Sequence, residues 1–158
     1  MSDDQKVMNN GVLLAALIII VRIVLEQFGA SEAVNRIFGV AWLYFIFPVL
    51  FAWGIRMKEY ASPFKMLLKD ILLFAVYTRV MVAVTYMLAY IFKWSAPRFS
   101  ADAGGNVGGN MNAWWGLLIV PLRNAFFWVV MATIVGMIIG SITLLLKKGR
   151  TSAPAAAA

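Results

Sequence analysis

Apolar residues run through this chain in four long blocks separated by polar connections. The first, GVLLAALIIIVRIVLEQFG, covers residues 11–29 and follows a short polar segment in which Asp3 and Asp4 outweigh Lys6. The second, FGVAWLYFIFPVLFAWGI, covers residues 38–55. Pro48 in its middle lacks a backbone donor, which predicts a kink. Trp42, Tyr44 and Trp53 stand toward its ends, as aromatic belts do at a membrane–water boundary. Ser62-Pro63 then reads as an N-cap followed by Pro at the first helical position. The helix it opens should run to Phe92, with Lys65, Lys69 and Asp70 in its first turns and residues 71–92 as the crossing part. The last block, from Trp114 to Lys148, is too long for one untilted span. Pro121 is expected to divide it into a short interfacial segment near residues 113–121, capped by Asn112, and a crossing segment at residues 125–146.

A span needs roughly 20 mostly apolar residues to cross a hydrocarbon core of ~30 Å. The expected fold is therefore an all-α integral membrane protein. It would be a four-span helix bundle over residues 11–146, with a short interfacial helix before the last span. A polar N-terminus (1–10) and a basic, then low-complexity tail (147–158) flank it. A secretory leader competes for the first block, because Ser31-Glu32-Ala33 resembles a small-x-small cleavage site. The stretch from Val21 to Ala33 is long and charged for that role, so an uncleaved span is expected. The connection at residues 93–113 contains Gly104, Gly105, Gly108 and Gly109 and reads as a flexible linker, with a ligand or partner loop as the alternative. No Gly-Lys-Ser/Thr follows it and no strand precedes it, so it is not a phosphate-binding loop.

Composition strengthens this picture. Of 158 residues, 63% are hydrophobic and 13% charged, whereas a soluble domain is about half apolar and about a quarter charged. The net charge of +7 has a bland explanation, since basic residues flank spans and meet anionic lipid. Lys6, Arg56, Lys58, Lys65, Lys69, Lys147, Lys148 and Arg150 fall on one side, against Arg36, Lys93 and Arg98 on the other. That bias sets both termini in the cytoplasm and the chain in the cell membrane. Membrane lipid is the expected partner. Nucleic acid is not, because no basic stripe lies on a soluble module. With no Cys and no His, disulfides, thiolate or imidazole metal sites and His-based triads are excluded. No cofactor or metal is expected. Nor is an enzyme: Asp70 and Asp102 should lie on opposite sides of the membrane, and neither has a catalytic companion.

Three arginines remain, Arg22, Arg79 and Arg123. An Arg at a span centre costs ~2.5–3.5 kcal/mol, and each Leu, Ile, Val or Phe returns ~0.3–0.6 kcal/mol. Arg79 lies near the middle of the third span and should face protein or a wet cavity rather than lipid. Arg79, Ala83, Tyr86 and Tyr90 share one helical stripe, either an ordinary packing face or a row of phenols within reach of the guanidinium. Arg22 and Glu26 are four apart and can pair. The pair lowers the cost of each charge; Glu26 as a proton-coupling carboxylate is the sharper reading, and Arg22 argues against it. Arg123 is interfacial if the chain breaks at Pro121, and about 13 Å below the surface if the helix runs unbroken from Trp114. Ala132, Gly136 and Gly140 recur every four residues, a spacing that lets helix backbones approach closely, within the bundle or at a dimer seam.

Two functions follow. The first is an accessory subunit, scaffold or assembly factor acting by helix association with a partner membrane protein or as a homo-oligomer. The alternative is an anion- or lipid-handling carrier or pore built on the intramembrane arginines, which outnumber the one intramembrane carboxylate, Glu26.

Overall fold

The computed structural model describes residues 3–58 and 60–148. Among them the chain is helical, with no strand and one isolated bridge between Ser100 and Val107. The elements are α1 (Asp3–Gln27), α2 (Glu32–Ile37), α3 (Leu43–Met57), α4 (Pro63–Phe92) and α5 (Val120–Lys148). Four stretches are long and apolar enough to cross a membrane: Gln5–Gln27, Glu32–Met57, Pro63–Phe92 and Trp115–Leu146. Helices α3 and α4 pack together, α1 and α5 each pack on that pair, and α1 makes little contact with α5.

Several boundaries differ from expectation for local reasons. The polar N-terminal segment is not separate from the first helix. Val7 and Met8 pack on the core beside Val12, and the helix extends to include them. Ser31, read as part of a cleavage-like site, is the N-cap of α2 and accepts a hydrogen bond from the Val34 N–H at 3.4 Å. Ser62 occupies the cap position of α4, but its side chain makes no capping bond; its carbonyl accepts from the Met66 N–H. Helix α3 runs uninterrupted through Pro48, which is buried.

The expected break at Pro121 does not occur. Asn112 does cap the segment, its Oδ1 accepting from the Trp115 N–H at 3.0 Å. One π-turn, Trp115–Ile119, then leads directly into α5. A π-turn carries an extra residue and widens the helix. It lies immediately before Pro121, whose ring would otherwise crowd the preceding turn. The carbonyl five residues back that Pro121 leaves without a donor, that of Gly116, accepts from Asn106 Nδ2 instead. The irregularity thus sits inside a continuous helix, and no separate interfacial helix forms. The tail from residue 149 lies outside the described residues.

The connection after α4 is not a slack linker either. Phe99 and Asn106 are fully buried. Asn106 Nδ2 donates to the carbonyls of Tyr86 (2.6 Å) and Gly116 (2.7 Å), tying the connection to both helices it joins. Gly104, Gly108 and Gly109 adopt positive φ, so these glycines form turns that other residues enter only with strain.

The small-residue row of α5 faces inward. A Cβ on Gly136 would meet Ile71 Cγ2 at 2.8 Å and Pro48 Cγ at 3.1 Å; one on Gly140 would meet Leu67 at 2.8 Å. Ala132 is buried as well. These residues let α5 close on α3 and α4 of the same chain. Gly136→Leu should therefore destabilise the fold by about 1–3 kcal/mol through overpacking, read as a lowered unfolding temperature of the detergent-solubilised protein. An unchanged temperature would show that the row serves something other than this packing.

Candidate functional site

The interior is divided. Away from the 28–42 and 93–114 connections, it is filled by rings and aliphatic groups. Phe47 stacks on Phe74 with centroids 4.7 Å apart, and Phe51 meets Phe74 edge-on at 5.9 Å. Ile55, Leu67 and Ile71 close the space beyond them. Toward the end carrying those connections, the loop end, the interior becomes polar. Arg79 marks the boundary, about 20 Å from the α4 C-terminus at ~1.5 Å per residue.

Arg79 is 6% exposed. Its guanidinium carbon lies 5.0 Å from the centroid of the Tyr44 ring and 4.7 Å from that of Trp128, so α3 and α5 each present a π face to it. Such faces attract a cation, more strongly once water is removed. Tyr44 is fixed by its hydroxyl, 2.7 Å from Thr78 Oγ1. Thr78 in turn donates to the Phe74 and Ala75 carbonyls, which leaves the Tyr44 O–H as donor to Thr78. Tyr44, expected at an interfacial belt, is therefore a buried cation-binding ring, whereas Trp42 and Trp53 are exposed. Arg79 Nε has no hydrogen-bond partner among the described residues.

A cavity of about 210 Å³ opens above Arg79. Arg22 and Ile19 of α1 line one wall, Gly39–Ala41 a second, and Asn124 and Trp128 of α5 a third. Arg79, Val82 and Tyr86 form the α4 wall, and Arg98 stands at the loop end. A second cavity, of about 410 Å³, lies beyond and shares Arg22 and Arg98 with the first. Glu26 sits where the two guanidiniums converge: its carboxylate lies 2.8 Å from Arg22 Nε and 2.9 Å from Arg98 Nε. The Glu26 side chain is 3% exposed. Burial presses Arg98 below the ordinary guanidinium range, and the Glu26 carboxylate pulls it back; a guanidinium remains charged in any case. Arg98 Nη2 has no partner among the described residues. In the second cavity, Glu32 and Arg36 form their own exposed pair at 2.6 Å.

Of the residues singled out from sequence, Arg22, Glu26, Arg79 and Tyr86 meet here. Arg123 does not. It lies on the exposed face of an unbroken helix, about 13 Å along from Trp114. Tyr90, on the same stripe as Arg79, instead donates to the Met111 carbonyl at 3.1 Å and holds the loop. Sequence reasoning missed Arg98, Tyr44, Trp128 and Asn124. Arg98 comes from 72 residues away to reach Glu26, and no local spacing announces it. The excess of arginines over carboxylates in the apolar blocks pointed to a missing counter-group and gave no sign of a further arginine. Among the described residues, no cluster of three or more metal-ligating side chains forms. Comparison with models of known families, with curated proteins and with solved structures finds no match to this chain.

Removing a carboxylate shared by two guanidiniums leaves them unpaired and mutually repelling. Glu26→Ala should cost about 3 kcal/mol, the low end for a buried ion pair because Arg22 and Arg98 are partly exposed. Glu32→Ala, at the exposed pair, should cost under about 1 kcal/mol. Thermal unfolding of the two variants side by side checks this, and equal shifts would show that Glu26 holds nothing together.

Proposed function

We propose that this is a four-span integral membrane protein, with both termini in the cytoplasm, that takes an anionic group into the cavity above Arg79. Membrane insertion is supported by the outward faces of the long helices, where Leu13, Leu17, Ile20, Val80, Phe126 and Ile138 are exposed. Water would not tolerate so continuous an apolar surface on a monomer. The orientation rests on the Lys/Arg bias between connections.

The observation that carries the anion reading is the charge of the cavity. Arg22, Arg79 and Arg98 line it together, and Glu26 is the carboxylate that meets two of them. Guanidiniums present planar N–H forks suited to carboxylate and phosphate oxygens. Two of their N–H groups, on Arg79 and Arg98, are buried without a protein partner. A buried polar group normally has a partner, so oxygens of a ligand, or water in its absence, are the natural complement. The apolar packing of Phe47, Phe51 and Phe74 beneath Arg79 supports a pocket open toward the loop end rather than a pore.

Purified full-length protein should bind an oxyanion, either inorganic phosphate in detergent solution or an anionic lipid in mixed micelles. Arg79→Gln should weaken that binding about tenfold or more, since it removes charge-assisted contacts of about 1.5–3 kcal/mol. Calorimetry and lipid retention measure the two cases, with circular dichroism to show that the variant is folded. Binding indifferent to Arg79 in a folded variant would sink the proposal.

A second reading, an accessory or assembly subunit, draws on the largely uncovered outward faces of α1 and α5, where a partner helix could lie. Recovery of the native protein with a stoichiometric partner in mild detergent supports it, and a lone monomer counts against it.

A further inference from the structure

The charges around the cavity do not balance, and the imbalance has a size. Three guanidiniums, those of Arg22, Arg79 and Arg98, face the space. One carboxylate, Glu26, is shared between Arg22 and Arg98. Glu32 in the adjoining cavity is already paired with Arg36. Two positive charges are left over in a largely buried place, and an uncompensated buried charge is among the least favourable arrangements a protein can hold. Tyr44 and Trp128 offer Arg79 their π faces, which attract a cation without neutralising it.

We infer that the ligand of this pocket is a dianionic tetrahedral oxyanion, a phosphate monoester or free phosphate rather than a phosphate diester. This rests on the anion-binding reading above and narrows it. Two observations carry the choice. Charge comes first: a phosphate monoester carries about −1.5 to −2 at neutral pH, which matches the surplus, whereas a diester carries one negative charge and leaves a guanidinium uncompensated. Donor geometry comes second. The unpartnered N–H groups belong to Arg79, at the floor, and Arg98, at the loop end. A group with three terminal oxygens offers more acceptors to these donors, and to Arg22 and Asn124 on the walls, than a diester does. A diester has only two terminal oxygens, and its second ester arm must leave through a wall. Size permits this ligand without choosing between the two: about 210 Å³ holds a phosphate with a few waters.

Glu26 has a definite part in this selection. As a fixed counter-charge between Arg22 and Arg98, it cancels one of the three positive charges and holds both of these guanidiniums in place. The pocket can then stay folded when empty, while Arg79 at its floor keeps the pull on an incoming anion.

The same chemistry can arrive from solution or as a monoester lipid headgroup, and the test separates the two. Purified full-length protein is titrated calorimetrically with methyl phosphate and, as a singly charged relative of similar size, dimethyl phosphate. The pH is held well above the second monoester pKa of about 6. In parallel, the protein is exposed to mixed micelles containing phosphatidic acid or phosphatidylglycerol, and retained lipid is quantified by mass spectrometry. Arg79→Gln, verified as folded, serves as the site control. The inference expects the monoester form to be preferred by about tenfold or more, and the preference to vanish in Arg79→Gln. Preference in the soluble arm identifies a free anion, and preference confined to the micelle arm identifies a lipid headgroup. Equal binding of monoester and diester, both lost in Arg79→Gln, overturns the dianion inference and leaves the anion reading standing. Absence of any Arg79-dependent binding overturns both.

Discussion

A permanently charged guanidinium halfway along a thirty-residue apolar helix has to be accommodated by protein if that helix spans a membrane as proposed, because its backbone position would then be too far from either end for the side chain to reach water directly. Much of the architecture is a response to that requirement. Helix α3 turns Tyr44 toward Arg79, and α5 turns Trp128 toward it. The Tyr44 ring is held by Thr78, one residue before the arginine. Because α1 packs on the α3–α4 pair without closing on α5, the loop end retains an interior space. Below Arg79 the bundle is packed with rings and aliphatic groups, and above it the bundle is polar and hollow.

The fold was largely legible in the sequence. Twenty-residue apolar blocks with polar breaks specify membrane-length helices almost irrespective of detail, because every backbone group must be satisfied within the segment. What escaped were the places where a local rule met tertiary packing. Pro121 normally stops a helix, but the π-turn before it makes room. Glycines at 104, 105, 108 and 109 normally mean slack, but Asn106 and Phe99 are buried among them. The site was half legible. Arg22 and Glu26 follow from four-residue spacing, and Arg79 from the cost of its depth. Arg98 and Trp128 come from other elements, and nothing in their own neighbourhoods distinguishes them from a flanking basic residue and an ordinary apolar-face aromatic.

The 93–114 connection therefore belongs to the cavity rather than merely crossing above it. Asn106 binds carbonyls on α4 and on the π-turn. Phe99 packs edge-on against Tyr86 with centroids 5.1 Å apart. Arg98, adjacent to Phe99 and lying over its ring at 4.2 Å, inherits its position from those anchors. A long-range ion pair to Glu26 is thus assembled on a rigid base, and little conformational entropy is lost in forming it.

The π-turn at Trp115–Ile119 also sets the rotational phase of everything that follows. One surplus residue in a helix rotates all later side chains by about 100° about the axis, given ~3.6 residues per turn. With that residue in place, two unrelated demands are met on one face of α5: Trp128 lies over Arg79, and Gly136 and Gly140 lie against Pro48, Ile71 and Leu67. Both depend on the same offset. The charged half of the bundle and the small-residue seam of α5 are thus clocked by one irregular turn at the mouth of the last helix, in which Gly116 leaves no room for a Cβ beside the Tyr90 ring.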